Sequence, residues 1–198
     1  MKAPNSIPFG NIYDKYNAGS PLERFMVKRY LGALKEMCTG FKPESIVELG
    51  AGEGYLAARM VEFLPDRTGL FLATDLKPGR AMPGIQWAAM DATRLALKDQ
   101  SFDLVLACEV LEHLEKPSLA LKEAFRISRG HLLISVPFEP IWRIGNVLRG
   151  RYVFDLGNTP GHVQHFTPGR ILGILKTFFE PQDIRLVIPW ILILASKR

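Results

Sequence analysis

Ser45-Ile-Val-Glu-Leu-Gly-Ala-Gly-Glu-Gly54 is the stretch that decides the fold. Its first half, through Leu49, is a short apolar run interrupted only by Glu48, the pattern of a buried strand. Its second half sets Gly50, Gly52 and Gly54 at the strand end, and Tyr55 to Leu64 then returns to helical periodicity through Leu56, Met60 and Phe63. Glycine in such a turn lets the backbone approach a ligand closely and leaves the N–H groups of the helix start free to face it. The spacing discriminates between ligands. A dinucleotide fingerprint reads G-x-G-x-x-G, whereas this loop reads G-x-G-x-G, with Tyr55 where the third glycine would fall. Glu48 and Glu53 flank the loop, and two acids suit a ligand that carries positive charge.

The same strand-then-helix logic extends in both directions. Upstream, Ser20-Pro21-Leu22-Glu23 offers an N-cap serine, a proline at the first helical position and a capping-box glutamate. Leu22, Phe25, Met26, Ala33, Leu34 and Met37 recur at helical spacing and predict a helix ending near Gly40. Downstream, strands are predicted over Gly69–Thr74, ending at Asp75; Ile85–Met90, ending at Asp91; Phe102–Ala107, ending at Cys108-Glu109; and His131–Val136, stopped by Pro137. A helix is predicted from about Pro117 to Ser128, and Thr167-Pro168 caps another that carries Ile171, Leu172, Leu175, Phe178 and Phe179. Ile184–Ile188 and Trp190–Ala195 lie too close together for a crossover helix and should form a hairpin. The expected architecture is α/β: a Rossmann-like, seven-stranded, mostly parallel sheet with an antiparallel C-terminal hairpin and helices on both faces. A single domain over residues 1–198 is expected, with an N-terminal cap helix at about 20–40 and a lid insertion at about 138–167.

Composition bounds the alternatives. With 198 residues, 47% hydrophobic and 23% charged, the chain can bury a sizeable core, which excludes a disordered tail and a disulfide-stapled miniprotein. The apolar run Leu186–Ala195 is too short to span a bilayer and contains Pro189, and Met1 to Asn17 holds no apolar segment of the signal-peptide kind. Cys38 and Cys108 match no metal or redox spacing, so a reducing cytoplasm is the expected address. The net charge of +5 favours anionic partners, but no Lys/Arg tract marks a nucleic-acid-binding arm.

Val47-Glu-Leu-Gly-Ala-Gly-Glu-Gly54 resembles motif I of the class I S-adenosylmethionine-dependent methyltransferases, and further matches follow in order. Asp75 stands where that family's acid at the end of the second strand bonds the ribose hydroxyls. Asp91-Ala92 stands where an acid and its neighbouring backbone read the adenine edge. Cys108-Glu-Val-Leu-Glu-His-Leu114 resembles the segment after the fourth strand in the small-molecule, type 11-like branch. The matches span about residues 45–136, with every acid at the C-terminal end of a strand, where open α/β sheets bind ligands. The resemblance implies S-adenosyl-L-methionine as cofactor, held by Glu48, Gly50, Ala51, Gly52, Asp75, Leu76, Asp91, Ala92, Cys108 and Glu109. In Asn11-Ile-Tyr-Asp-Lys-Tyr16, Tyr13 or Tyr16 is similar to an aromatic residue that closes over the cofactor in that branch. No metal is implied. Cys108 reads as a packing residue rather than a nucleophile, because nothing near it in sequence would lower its pKa.

The implied reaction is methyl transfer to a small-molecule or lipid-like acceptor, a hydroxyl among the candidates. No nucleic acid is expected, because the Asn- or Asp-Pro-Pro-aromatic motif of base-amino methyltransferases is replaced here by Cys108-Glu-Val-Leu. An NAD(P)-dependent oxidoreductase shares the fold logic, but the glycine spacing and the acids around the loop disfavour it. A methyltransferase-like domain that binds the cofactor without turnover would show a damaged motif, and none is damaged. A hydroxyl acceptor needs a base, and His162 and His165 in Gly161-His-Val-Gln-His-Phe-Thr-Pro168 are candidates, with a structural role in anchoring the loop as the alternative. Pro140 to Val153 reads as a basic amphipathic lid: Ile141, Ile144 and Leu148 share a face, Trp142 lies beside it, and Arg143, Arg149 and Arg151 follow with no intervening acid. Apolar residues beside arginine suit an anionic group on a greasy body, or weak contact with an acidic membrane surface. A helix that simply packs on the sheet edge and solvates its arginines is the other reading.

Overall fold

The computed structural model describes residues 20–64, 69–77, 79–148, 150 and 152–198. Tyr13, Tyr16, Arg149 and Arg151 lie outside the described residues. Seven strands form one sheet: β1 (Ser45–Leu49), β2 (Leu70–Asp75), β3 (Gln86–Ala89), β4 (Phe102–Cys108), β5 (Ser128–Pro137), β6 (Phe179–Val187) and β7 (Trp190–Lys197). Their order is β3-β2-β1-β4-β5-β7-β6. All pairings from β3 through β5 are parallel, and β7 runs antiparallel to both β5 and β6. The expected α/β sheet with its C-terminal hairpin is therefore the fold. Reversal of the chain between two central strand ends opens a crevice above β1 and β4, as the doubly wound topology requires.

The helices are α1 (Pro21–Met37), α2 (Tyr55–Phe63), α3 (Pro117–Ile127), α4 (Glu139–Leu148) and α5 (Pro168–Leu175). Alternation along the strands splits the core between two faces. Ile46, Phe71, Leu104, Leu106 and Leu133 pack with α1 and α2, while Val47, Leu49, Val105, Leu132 and Ile134 pack with α3 and α5. Among the described residues, no helix lies between β2 and β3 or between β3 and β4. No helix there is long and apolar enough to cross a membrane.

The structure departs from the sequence reading in three places. In α1 the buried stripe is Glu23, Val27, Tyr30, Leu34 and Met37, while Leu22 and Phe25 are 60% and 57% exposed. Glu23 turns in because its carboxylate accepts the Ser20 N–H at 2.8 Å while its own N–H donates to Ser20 Oγ. That rotation carries Leu22 and Phe25 outward. The α5 helix stops at Leu175, and Phe179 instead opens β6, although its ring enters the same core. The third difference is in α4 and bears on the site.

Candidate active site

The loop after β1 is fixed by the strand beside it. Ala51 N–H donates to Thr74 O at 2.9 Å, Thr74 Oγ1 donates to Glu48 O at 2.9 Å, and Gly52 N–H donates to Asp75 Oδ2 at 2.8 Å. Gly50, Gly52 and Gly54 all have positive φ, at 65°, 55° and 82°, where L side chains are strained. A Cβ at Gly50 would lie 2.5 Å from Val110 Cγ2, and one at Gly54 would lie 2.7 Å from the Trp87 ring. A Cβ at Gly52 would meet nothing within 4 Å. Gly52 therefore faces an open cradle, while its neighbours are pressed against walls. Trp87, which the sequence reading did not single out, forms one of those walls, and its Nε1 is a buried donor with no protein acceptor.

Glu48 is the electrostatic centre of this half. It is 3% exposed, and its Oε2 has no hydrogen-bond partner. Burial first, and the charge of Asp75 second, push its carboxyl up to about 8. Asp75 is half-buried and Leu76 exposed beside it. Asp91 is exposed, and its Oδ1 caps a turn by accepting from Thr93 N–H and Thr93 Oγ1 at 2.8 and 2.7 Å. Ala92 is half-buried next to it. The buried Cys108 thiol is pushed well above its ordinary range, by burial and then by Glu48, so it is no nucleophile.

A second group of side chains gathers beyond the ends of β4 and β5. Glu109 adopts φ 60° and directs its carboxylate between two donors, Ser135 Oγ at 3.2 Å and Trp190 Nε1 at 2.8 Å. Tyr30 OH shares a 2.8 Å hydrogen bond with Ser135 Oγ and packs its ring 4.8 Å from Trp190. Trp142 continues this aromatic wall, 5.6 Å from Trp190 and stacked on His162 at 6.3 Å. The buried His162 is held through Nδ1 by Glu139 Oε1 at 2.7 Å, and its ring meets His113 edge-on at 5.0 Å. His165 is directed elsewhere, with Nε2 3.2 Å from Asn158 Oδ1. The structure thus brings His162 together with His113, Glu139 and Trp142, and leaves His165 outside that group.

Of the apolar face expected for a lid, Ile141 is half-buried and Ile144 turns outward in α4. Its inward face is polar: Glu139 holds His162, Trp142 Nε1 donates to Thr159 Oγ1 at 2.8 Å, and Asn146 Nδ2 donates to Gly157 O at 2.9 Å. Its outward face is apolar. Pro140, Ile144 and Val147 line an open groove of about 420 Å³ together with Leu156 and Arg143. Ile144 does not face inward as a lid residue would: the inward positions are held by Glu139, Trp142 and Asn146, which meet the His162 and Trp190 rings and the polar groups of Gly157 and Thr159. Arg143 is also partly committed to the scaffold, its Nε donating to Leu156 O at 2.9 Å.

Residues 47–134 match the family model for a methyltransferase domain. The fold is that of the class I methyltransferases. It is 29% identical over 120 residues to malonyl-[acyl-carrier protein] O-methyltransferase of Geobacter sulfurreducens, covering 57% of this chain and 44% of that protein. It is 29% identical over 119 residues to demethylmenaquinone methyltransferase of Beutenbergia cavernae, covering 58% and 50% respectively. The chain thus spans about half the length of the curated relatives it matches. A solved structure of an S-adenosylmethionine dependent methyltransferase from Mesorhizobium loti shares the fold with a TM-score of 0.65 at 20% identity, covering 85% of this chain and 98% of that one.

S-adenosylmethionine, the cofactor implied by this class, suits the donor set above β1. An open cradle at Gly52 can admit it, and the partnerless oxygen of buried Glu48 is matched to a cationic group.

Proposed function

We propose that this chain transfers the methyl group of S-adenosylmethionine to a small-molecule or lipid-like acceptor above the C-terminal ends of β1, β2 and β4. The observation that carries the reading is the buried Glu48 carboxylate with an oxygen aimed at no protein donor, next to the Gly52 cradle. When bound, the cofactor supplies an electrophilic methyl group on a sulfonium. Glu48 offers that positive charge a counter-ion in a desolvated site, where such attraction is strongest. Asp75, already steadied by the Gly52 N–H, is placed to accept from the ribose, with Gly50, Ala51 and Leu76 as the adjoining walls. Asp91 and Ala92 line the adenine end, and Cys108 and Glu109 the methyl end. The protein's work in such a displacement is alignment and exclusion of water, so no nucleophile of its own is needed.

On the acceptor side, the curated relatives are named for a malonyl-[acyl-carrier protein] and for demethylmenaquinone. The apolar groove beside Arg143 suits a greasy body with an anionic group, or weak contact with an anionic membrane surface that brings such an acceptor near. Calorimetry with S-adenosylhomocysteine and with NADH on the full chain tests the cofactor. Binding of the first and not the second is expected, and Asp75→Ala should weaken it by roughly 1–3 kcal/mol. Binding of NADH alone, or unchanged affinity in a folded Asp75→Ala variant, would refute the arrangement. Methyl-donor consumption with acyl and quinone acceptors then separates turnover from mere binding.

A further inference from the structure

We infer that Glu112, His113 and His162 form a binding site for a divalent transition metal ion on the acceptor side of the crevice. One potential ligand atom from each lies within 4.8 Å of the other two. Two imidazoles and one carboxylate are the donor set of open zinc and other first-row metal centres, whereas magnesium and calcium prefer all-oxygen shells.

The surroundings of the two imidazoles are those of metal ligands. A ligating histidine normally spends its other ring nitrogen on a carboxylate or a backbone carbonyl, which fixes the tautomer and aims the ring. His162 Nδ1 lies 2.7 Å from Glu139 Oε1, and His113 Nδ1 lies 3.0 Å from Gly161 O. With both Nδ1 atoms so engaged, Nε2 is the nitrogen through which each ring would ligate a cation. The site is also locked from the main chain. Val163 and Gln164 N–H both donate to Glu112 O, at 2.9 and 3.0 Å, so the turn at Leu111–His113 and the 161–164 segment are held together although 48 residues separate His113 from Gly161. Glu112 and His162 are buried, and His113 is half-buried. Three protein ligands leave at least one coordination position open, and an acceptor bearing a hydroxyl or carbonyl oxygen is the class such a position takes. That last step rests on the methyl-transfer reading above; the metal site itself does not. It also gives His162 a role other than general base.

The test is a titration of the chelator-stripped full chain with Co²⁺, read by visible d–d absorption, with Zn²⁺ as competitor and circular dichroism as the folding control. S-adenosylhomocysteine binding is measured on the same stripped sample. One equivalent of Co²⁺ displaced by Zn²⁺ is expected. Glu112→Gln and His113→Ala should each weaken it at least tenfold, and Glu139→Gln should weaken it by about 10–100-fold. His131→Ala, which removes an imidazole outside the cluster, should change nothing. Absence of one-equivalent binding by the wild-type chain, or equal affinity in folded Glu112→Gln and His113→Ala variants, overturns the site. Because metal-free chain should still bind S-adenosylhomocysteine, loss of that binding instead indicts the cofactor reading.

Discussion

The two halves of the crevice are built on opposite plans. Around β1 and β2 the site is local: Glu48, Gly50, Gly52 and Gly54 are nearly consecutive, and the acid that steadies them, Asp75, ends the adjacent strand. Around β4 and β5 the site is assembled from six separate segments, contributing Tyr30, Glu109 to His113, Ser135, Glu139 to Asn146, Gly157 to His162, and Trp190. The first half leaves a carboxylate oxygen open toward a ligand. The second ties most of its polar groups to one another, though Glu139 Oε2 is likewise buried without a hydrogen-bond partner. A loop that must admit a cofactor is made of backbone, while a wall that must recognise a particular acceptor is made of side chains. The two halves should therefore fail differently when altered.

The largest effect is expected in the second half. Glu139→Ala leaves the buried His162 Nδ1 without its carboxylate partner, and stripping a buried polar group of its partner costs about 1–3 kcal/mol, to which the cavity left by the deleted side chain adds. Urea denaturation followed by circular dichroism should show that loss. A cost below about 1 kcal/mol would mean that this wall is a loose cover, not a built site.

Next comes the first half's charge. Folded Glu48, at about 8 against an ordinary 4.5, holds a proton that the unfolded chain has lost across that interval. The stability it contributes is complete below about 4.5 and is lost as pH rises through about 8, a change on the order of a few kcal/mol. Glu48→Gln should flatten that slope and make the ligand-free chain more stable in mild alkali, while weakening a cationic ligand. S-adenosylmethionine, bearing the sulfonium, should bind with proton release that its demethylated product does not match, as calorimetry in buffers of different ionisation enthalpy would reveal. Equal proton release by both would remove Glu48 from the sulfonium's side of the site.

Glycine substitutions sharpen the contrast within the first half. Gly50→Ala combines positive φ with a Cβ 2.5 Å from Val110, a β-branched and buried neighbour that cannot swing away, and should cost about 1–3 kcal/mol of stability. Gly52→Ala meets no atom within 4 Å and should cost about 1 kcal/mol of backbone strain. It should nevertheless lose most of its affinity for S-adenosylhomocysteine, because the new methyl group occupies the cradle. Equal stability losses with equal binding would contradict the geometry.

These differences explain how much could be read from the sequence. The strands along the chain, the hairpin and the glycine loop follow from short-range patterns, because periodicity and turn chemistry act over a few residues. The Glu109 and His113 neighbourhood was visible only as a motif, since Ser135, Trp190 and Gly161 reach it through the tertiary fold. Glu139 carried no signal at all: one acid before a proline reads as a helix start until its partner, His162, is placed beside it. Which face of α4 turns in is not legible for a related reason. Helical periodicity shows that a stripe of Ile144 and its neighbours exists, but not which side the rest of the chain will occupy. Here the occupants are the 157–162 segment and the Trp190 ring, so Glu139, Trp142 and Asn146 turn in.

The smallest effect on stability belongs to that outward stripe. Ile144 is 60% exposed and Val147 40%, and neither is needed to satisfy the loop beneath. Ile144→Ser combined with Val147→Ser should leave unfolding free energy within about 0.5 kcal/mol of the parent chain, as for surface sites away from special features. An apolar helix face in water with no structural duty is more economically explained by something that touches it, and Phe154 and Leu156, also exposed, extend the same surface. Flotation with vesicles containing anionic lipid should therefore fall in the double variant, and should fall for the parent chain too as salt is raised, because each nearby basic residue contributes only about 1 kcal/mol. If the variant floats as well as the parent, the groove serves the acceptor alone, and its loss should appear in turnover of greasy acceptors but not of polar ones. If the variant instead unfolds, α4 is a core element whose outer face is covered by part of the chain, and the contrast between its two sides disappears.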